Sequence, residues 1–225
     1  MLKTVDKIDT DHSIVVFIDS KGAKKTLEFD RLILAAGSYV VHPASVSGLS
    51  EHAFSVNHIE DAVKPDTHLH LLASLPAGTP GRNTVVVCDA GFTGVEVAAE
   101  LPKRLRDILG AEASVRVVAV ERYGDVGPDM GPAARPYILE AFAKPGVETR
   151  LGSAVVAVRD KGVTLASGEQ IETLTAVWTA GVEGTPLVKQ IPGDTDSSGR
   201  IHVDQDLRLP TVPSVLVAGD AARYG

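Results

Sequence analysis

Short runs of β-branched residues, separated by longer stretches whose apolar positions recur at helical spacing, organise the middle of the chain. TVVVC, residues 84–88, is apolar throughout, the pattern of a strand covered on both faces and so of a parallel sheet. Over residues 93–109, Val95, Val97, Ala98, Leu101, Leu105 and Leu109 line one side of a predicted helix, which Pro102 is expected to kink or shorten. VRVVAV (115–120) predicts a second strand, residues 133–143 a second helix and VETRL (147–151) a third strand. Pro145 and Gly146 stop that helix before the third strand. Upstream, residues 59–74 predict a further helix, followed by the Pro/Gly-rich link LPAGTPGR. Downstream, the loop IPGDTDSSGR precedes the strands IHV and SVLVAG. Strand and helix in alternation predict an α/β fold, a parallel sheet with crossover helices.

A second pattern is an internal echo. SIVVFIDSKGAKKTLEFD leads into the apolar strand RLILAAGS, and GVTLASGEQIETLT leads into AVWTAGV. Each copy turns at a glycine, Gly22 or Gly168, and finishes at another, Gly37 or Gly181. Two hairpin-rich segments, each feeding an apolar strand, predict two domains built on one plan. The expected division is residues 1–37 and 200–225 in one domain and residues 38–199 in the other.

With 225 residues and 44% hydrophobic content, the chain is large enough for one large or two moderate cores. No apolar stretch approaches the length that crosses a bilayer, and MLKTVDKIDT lacks the pattern of a secretory signal, so a cytoplasmic location is the expectation. The 29 acidic residues outnumber the 22 basic ones, and no dense Lys/Arg patch offers a footprint for nucleic acid. Cys88 is the single cysteine, which excludes an intramolecular disulfide and an internal dithiol couple; closing an apolar strand, it reads as a structural thiol. No metal site is expected.

The sharpest chemical motif is DAGFTG (Asp89, Ala90, Gly91, Phe92, Thr93, Gly94), placed where the first strand turns into the first helix. A dinucleotide needs glycine there, because a side chain blocks the pyrophosphate from the helix N-terminus, whose free N–H groups and positive dipole end hold the charge. Gly91 and Gly94 match the second and third glycines of G-x-G-x-x-G, while Asp89 stands at the first. An ionised Asp89 about 4 to 5 Å from a pyrophosphate oxygen costs about 3 to 4 kcal/mol at an effective dielectric near 20, so NAD(H) binding is expected to be weak. Glu121, at the end of the second strand, is expected to accept hydrogen bonds from the adenosine ribose and to favour NADH; Arg122 beside it tolerates a 2′-phosphate. Their plain alternatives are a helix-entry carboxylate for Asp89 and solvated surface charges for Glu121 and Arg122.

These segments resemble the NADH dehydrogenase-like, pyridine nucleotide-dependent FAD oxidoreductases near the type II NADH:quinone oxidoreductases, over essentially the whole chain. FDRLILAAGS is similar to the family's first crossover strand, TVVVCDAGFTGVEVAAEL to its NAD site, VWTAGV with Gly181 to the return crossover, and VPSVLVAGDAA to its flavin motif. The resemblance implies a Rossmann-like NAD(P)-binding domain with a β-meander, beside a remnant of a second, FAD-binding domain. It implies that Gly219 and Asp220 approach the flavin ribityl chain and that Glu96 lies by the nicotinamide. It also marks a departure: the family opens with a βαβ unit that cradles the FAD pyrophosphate, and this sequence begins after it. FAD is therefore not expected on this chain alone, and a homodimer or partner chain is expected to cover the apolar surface of the remnant. The implied function is hydride transfer from NADH to FAD once a flavin half is supplied. The alternatives are a repurposed scaffold that binds a small molecule in the vacated cleft and catalyses cyclisation, isomerisation or proton transfer, with Asp89 and Glu96, and Asp220 across the cleft, as acid/base groups, and a pseudoenzyme binding or dimerising subunit.

Overall fold

The polar, hairpin-rich start of the chain folds, in a computed structural model that describes residues 4–224, as an antiparallel meander. Its strands are β1 (Thr4–Asp9), β2 (Ile14–Ile18) and β3 (Lys24–Glu28), with Gly22 at positive φ in the β2–β3 turn. Alternation puts Ile8 and Val15 inside and leaves β3 exposed. β4 (Leu32–Leu34) and β5 (Ser38–Val40) follow.

The next stretch, Val40–Gly181, forms a unit of its own. In chain order it contains α1 (Leu49–His52), β6 (Ala53–Ser55), α2 (Ile59–Leu72), β7 (Thr84–Cys88), α3 (Phe92–Leu109) and β8 (Arg116–Glu121). It continues through α4 (Arg135–Ala143), β9 (Glu148–Leu151), β10 (Val155–Arg159), β11 (Gly162–Leu165), β12 (Gln170–Glu172) and β13 (Thr175–Trp178). Five strands pair in parallel in the order β6-β13-β7-β8-β9. Successive side chains of β7 and β8 point to opposite faces. Val85, Val87, Val117 and Ala119 meet helical residues such as Leu69, Leu105, Ile138 and Phe142, while Val86, Cys88, Val118 and Val120 meet Val158, Val163, Leu165 and Ile171 of the β10–β12 meander. The result is three layers, helices, parallel sheet and meander, which explains why TVVVC has no polar face.

α3 runs unbroken to Leu109 although Pro102 was expected to kink or shorten it. A proline inside a helix costs about 3 kcal/mol. Its neighbours Leu101 and Leu105 are buried, at roughly 1.5 to 3 kcal/mol each, and that packing outweighs the lost hydrogen bond. Glu121 lies in the last position of β8 rather than just beyond the strand.

From Val182 the chain returns to the unit that holds β1–β4. β14 (Val182–Gly184) pairs with β5, β15 (Ile201–Val203) runs parallel to β17 (Ala222–Tyr224), and β16 (Val215–Val217) runs parallel to β4. Ile8, Leu34, Val188, Ile191, Ile201, Val215 and Val217 form its core. Residues 182–199, assigned by the sequence reading to the middle domain, thus belong with this flanking unit, because Val188 and Ile191 pack into its core. On the opposite face of the β4–β16 ladder Ile33 is 68% exposed, in a parallel pairing that is ordinarily covered on both sides. Among the described residues no helix is long and apolar enough to cross a membrane.

Candidate functional site

The C-terminal ends of β7, β8 and β13 lie level, Cys88 being in register with both Val120 and Trp178. β8 and β9 lie to one side of β7 and β13 to the other, so the strand order reverses between β7 and β13. Ligands of open α/β sheets bind outside the strand ends at such a reversal. The loop that leaves β7 here is DAGFTG.

Asp89 has φ +119, a conformation that L side chains rarely adopt and that costs about 1 to 3 kcal/mol. Its surroundings hold it there. Its N–H donates to the Val120 carbonyl at 2.9 Å, its own carbonyl accepts from Thr179 Oγ1 at 3.3 Å, and its Oδ2 accepts from the Gly91 N–H at 2.9 Å. Burial is the main force that pushes the Asp89 carboxyl up to about 6; Glu121 and Asp129 add to it, while the Gly91 N–H and Arg122 act against it. The same negative charge, after burial itself, pushes the Cys88 thiol up to about 12, so this buried cysteine carries no thiolate near neutrality.

Gly94 is dictated by close approach. A Cβ there overlaps the Asp89 carbonyl oxygen and comes within 2.9 Å of Thr179 Oγ1. Gly91 is the N-cap of α3, and no side chain caps the helix. The N–H groups of Phe92, Thr93 and Gly94 therefore have no partner within the helix and carry its positive end. Gly91 and Gly94 are buried and Phe92 is 61% exposed.

Glu121 closes the site from below. It is 1% exposed, its Oε2 accepts from the Ala90 N–H and its Oε1 from the Tyr123 N–H, both at 3.0 Å. Gly127 N–H donates to the Ala90 carbonyl at 2.8 Å, so the loop after β8 folds back on the glycine turn. The carboxylate expected at the ribose thus has each of its oxygens accepting from a backbone amide of the loops around it. Arg122 is exposed, its guanidinium 4.7 Å from the centre of the Tyr123 ring.

Glu96 is exposed and lies past the first turn of α3, which holds no acidic residue. It is too far along to serve as a first-turn dipole partner, and no described residue pairs with it. Gly181, at φ +67, accepts from the Val41 N–H at 2.7 Å through its carbonyl. In the flanking unit Gly219 has φ +68, and Asp220 Oδ2 accepts from Ser38 Oγ at 2.9 Å, leaving Oδ1 without a partner among the described residues. Asp89, Gly91, Gly94 and Glu121 thus come together, and Thr179 joins them. Sequence reasoning missed Thr179; its only signal was a hydroxyl inside VWTAGV, just past the strand and two residues before Gly181.

A family profile described as pyridine nucleotide-disulphide oxidoreductase matches residues 1–225. An NADH dehydrogenase-like protein of Mycobacterium tuberculosis is 44% identical over 216 residues, 92% of this chain and 54% of its own length. A type II NADH:quinone oxidoreductase of Staphylococcus epidermidis is 28% identical over 212 residues, 89% of this chain and 52% of its own. The chain thus spans about half the length of the curated relatives it matches. Among solved structures, NDH2 from Plasmodium falciparum in complex with NADH superposes with a TM-score of 0.79 at 20% identity, over 100% of this chain and 50% of that one.

Proposed function

The chain belongs to the pyridine nucleotide-disulphide oxidoreductase family, and from that premise we propose that the β7–α3 turn binds the pyrophosphate of a reduced nicotinamide dinucleotide, the hydride donor of an NAD(P)H:acceptor flavoprotein oxidoreductase. One observation carries the reading. An uncapped 18-residue helix begins at the strand reversal, and Gly94 lets its N-terminus lie against the end of β7, with the Asp89 carboxylate on the Gly91 N–H at its entry. Dithiol chemistry within this chain is excluded by composition, since its one cysteine is buried and held as the thiol.

FAD, when bound, supplies the two-electron acceptor for the hydride. The residues of this chain that would hold its ribityl chain are Gly219 and Asp220, the latter through its free Oδ1. The exposed Ile33 side of the β4–β16 ladder fits a flavin-bearing segment as its cover, whether on the same polypeptide or on a partner. Glu96, exposed one turn into α3, is the group available to orient a carboxamide.

A second reading is favoured by Asp89 itself. A carboxyl group with a pKa of about 6 beside a free helix end is suited to accept and return a proton, which supports non-redox acid/base chemistry on a small ligand. Titrating the purified protein with NADH and NADPH, with Asp89→Gly in parallel, tests the first reading. Saturable binding that tightens in the variant supports it, and no binding of either dinucleotide by either protein overturns it in favour of the second.

A further inference from the structure

In the flanking unit, the end of β1 and its turn into β2 form one wall of a cleft, and the end of the 3-10 turn Pro186–Gln190 with Ile191 and Pro192 forms the other. The volume of the cleft is about 430 Å³. That lies within the range of roughly 300 to 1,000 Å³ that holds small molecules.

The two walls are tied together. β1 is an outer strand of its meander, so one side of its backbone has no neighbouring strand. Gln190 takes that place: the Ile8 N–H donates to its Oε1 at 2.8 Å, and its Nε2 donates to the Asp6 carbonyl at 3.3 Å. A carboxamide paired in this way covers part of an open strand edge and fixes the width of the cleft beside it. Ile8 and Ile191, both buried, anchor one wall each in the hydrophobic core of the unit.

The charges that line the cleft balance. Lys7 and Lys189 contribute cations, and Asp9 and Asp11 contribute carboxylates. They are not equivalent. Asp9 accepts from Lys7 Nζ at 3.2 Å and from the His12 N–H at 3.1 Å, and its Oδ1 lies 3.0 Å from His12 Nδ1. Lys189 and Asp11, one on each wall, form no ion pair among the described residues. The apolar part of the lining is Ile8, Ile191 and Pro192. A ligand of one net charge gains at one wall and loses at the other, whereas a zwitterion gains at both.

We propose that this cleft binds a small zwitterion, an α-amino acid with an aliphatic side chain, whose carboxylate meets Lys189, whose ammonium meets Asp11 and whose side chain rests on Ile191 and Pro192. The proposal does not depend on the dinucleotide turn, which belongs to the other unit. Contacts between exposed charges are weak, so the expected Kd is on the order of millimolar.

The test is a titration of the isotope-labelled chain with L-leucine, followed by amide NMR, in which the Ile8 amide and the Gln190 side-chain amide report on the cleft. Both signals should shift saturably. Isocaproate, which lacks the ammonium, and isoamylamine, which lacks the carboxylate, should each bind more weakly by about threefold or more. Asp11→Asn should weaken L-leucine by a similar factor without weakening isocaproate, and Lys189→Gln should do so without weakening isoamylamine. Both positions are exposed, and thermal midpoints of the variants verify folding. The absence of a saturable shift at Ile8 and Gln190 up to roughly 50 mM L-leucine overturns the proposal. So does equal binding of L-leucine and its two analogues, or binding of L-leucine by both variants equal to that of the wild type.

Discussion

Replacing Asp89 with glycine is the perturbation that separates the site's architecture from its chemistry. In the wild type the Asp89 carboxylate holds the Gly91 N–H at 2.9 Å, so an anion approaching that amide must displace it or sit beside it. At about 4 to 5 Å, with an effective dielectric near 20, two unit charges repel by about 3 to 4 kcal/mol before screening. Ionic screening and rotation of the side chain reduce this to roughly 1.5 to 3 kcal/mol, a factor of about ten to a hundred in affinity. The carboxyl titrates near 6, so the penalty applies to the ionised form above that pH and fades below it. NADPH or NADH affinity measured by fluorescence titration at pH 5, 6, 7 and 8 should therefore fall with rising pH in the wild type. Asp89→Gly should bind about ten- to a hundredfold more tightly at pH 8, and the two proteins should converge at pH 5. An affinity difference that stays constant across this range would refute the electrostatic argument and leave only backbone strain as the effect of Asp89.

Stability should follow the same titration with a definite sign. The Asp89 carboxyl rises from 3.8 to about 6 on folding, so between those values the native protein binds more protons than the unfolded chain and is destabilised as pH rises, by roughly 2 to 3 kcal/mol in all. His68, whose pKa is lowered chiefly by burial, acts in the opposite direction below its ordinary 6.5; urea midpoints of wild type minus Asp89→Gly cancel it, and a difference independent of pH between 4 and 7 would contradict the assignment. Gly94→Ala should destabilise by about 2 to 4 kcal/mol, because the new Cβ overlaps the Asp89 carbonyl, and should abolish dinucleotide binding; an unchanged thermal midpoint would show that the turn relaxes freely. Thr179→Val removes the hydroxyl that bonds the Cys88 and Asp89 carbonyls and should cost about 1 kcal/mol in chemical denaturation, with weakened binding through a loosened turn. Binding by this variant equal to that of the wild type would remove Thr179 from the site.

Much of the architecture is written in local pattern. TVVVC has no polar position because helices cover one face of β7 and the β10–β12 meander the other, and each requirement acts on single residues of one short segment. The glycines of DAGFTG are legible for the same reason, since Gly94 answers a contact within its own turn. Helix ends were less so: Pro102 suggested a break that buried Leu101 and Leu105 prevent.

What the tertiary structure alone decided lies where segments distant in sequence meet. Glu121 is 31 positions from Ala90, and only the closing of the loop after β8 determines that its carboxylate turns inward to backbone amides and leaves Arg122 at the surface. Thr179 reaches Asp89 across 90 positions because β13 pairs beside β7, a neighbour that no local periodicity specifies. The amino-acid order by itself determined which segments are strands and where a turn must be free of side chains. Which carboxylate faces solvent, and which amide an anion finds unoccupied, depends on hydrogen bonds whose donors and acceptors become neighbours only after the sheet has assembled.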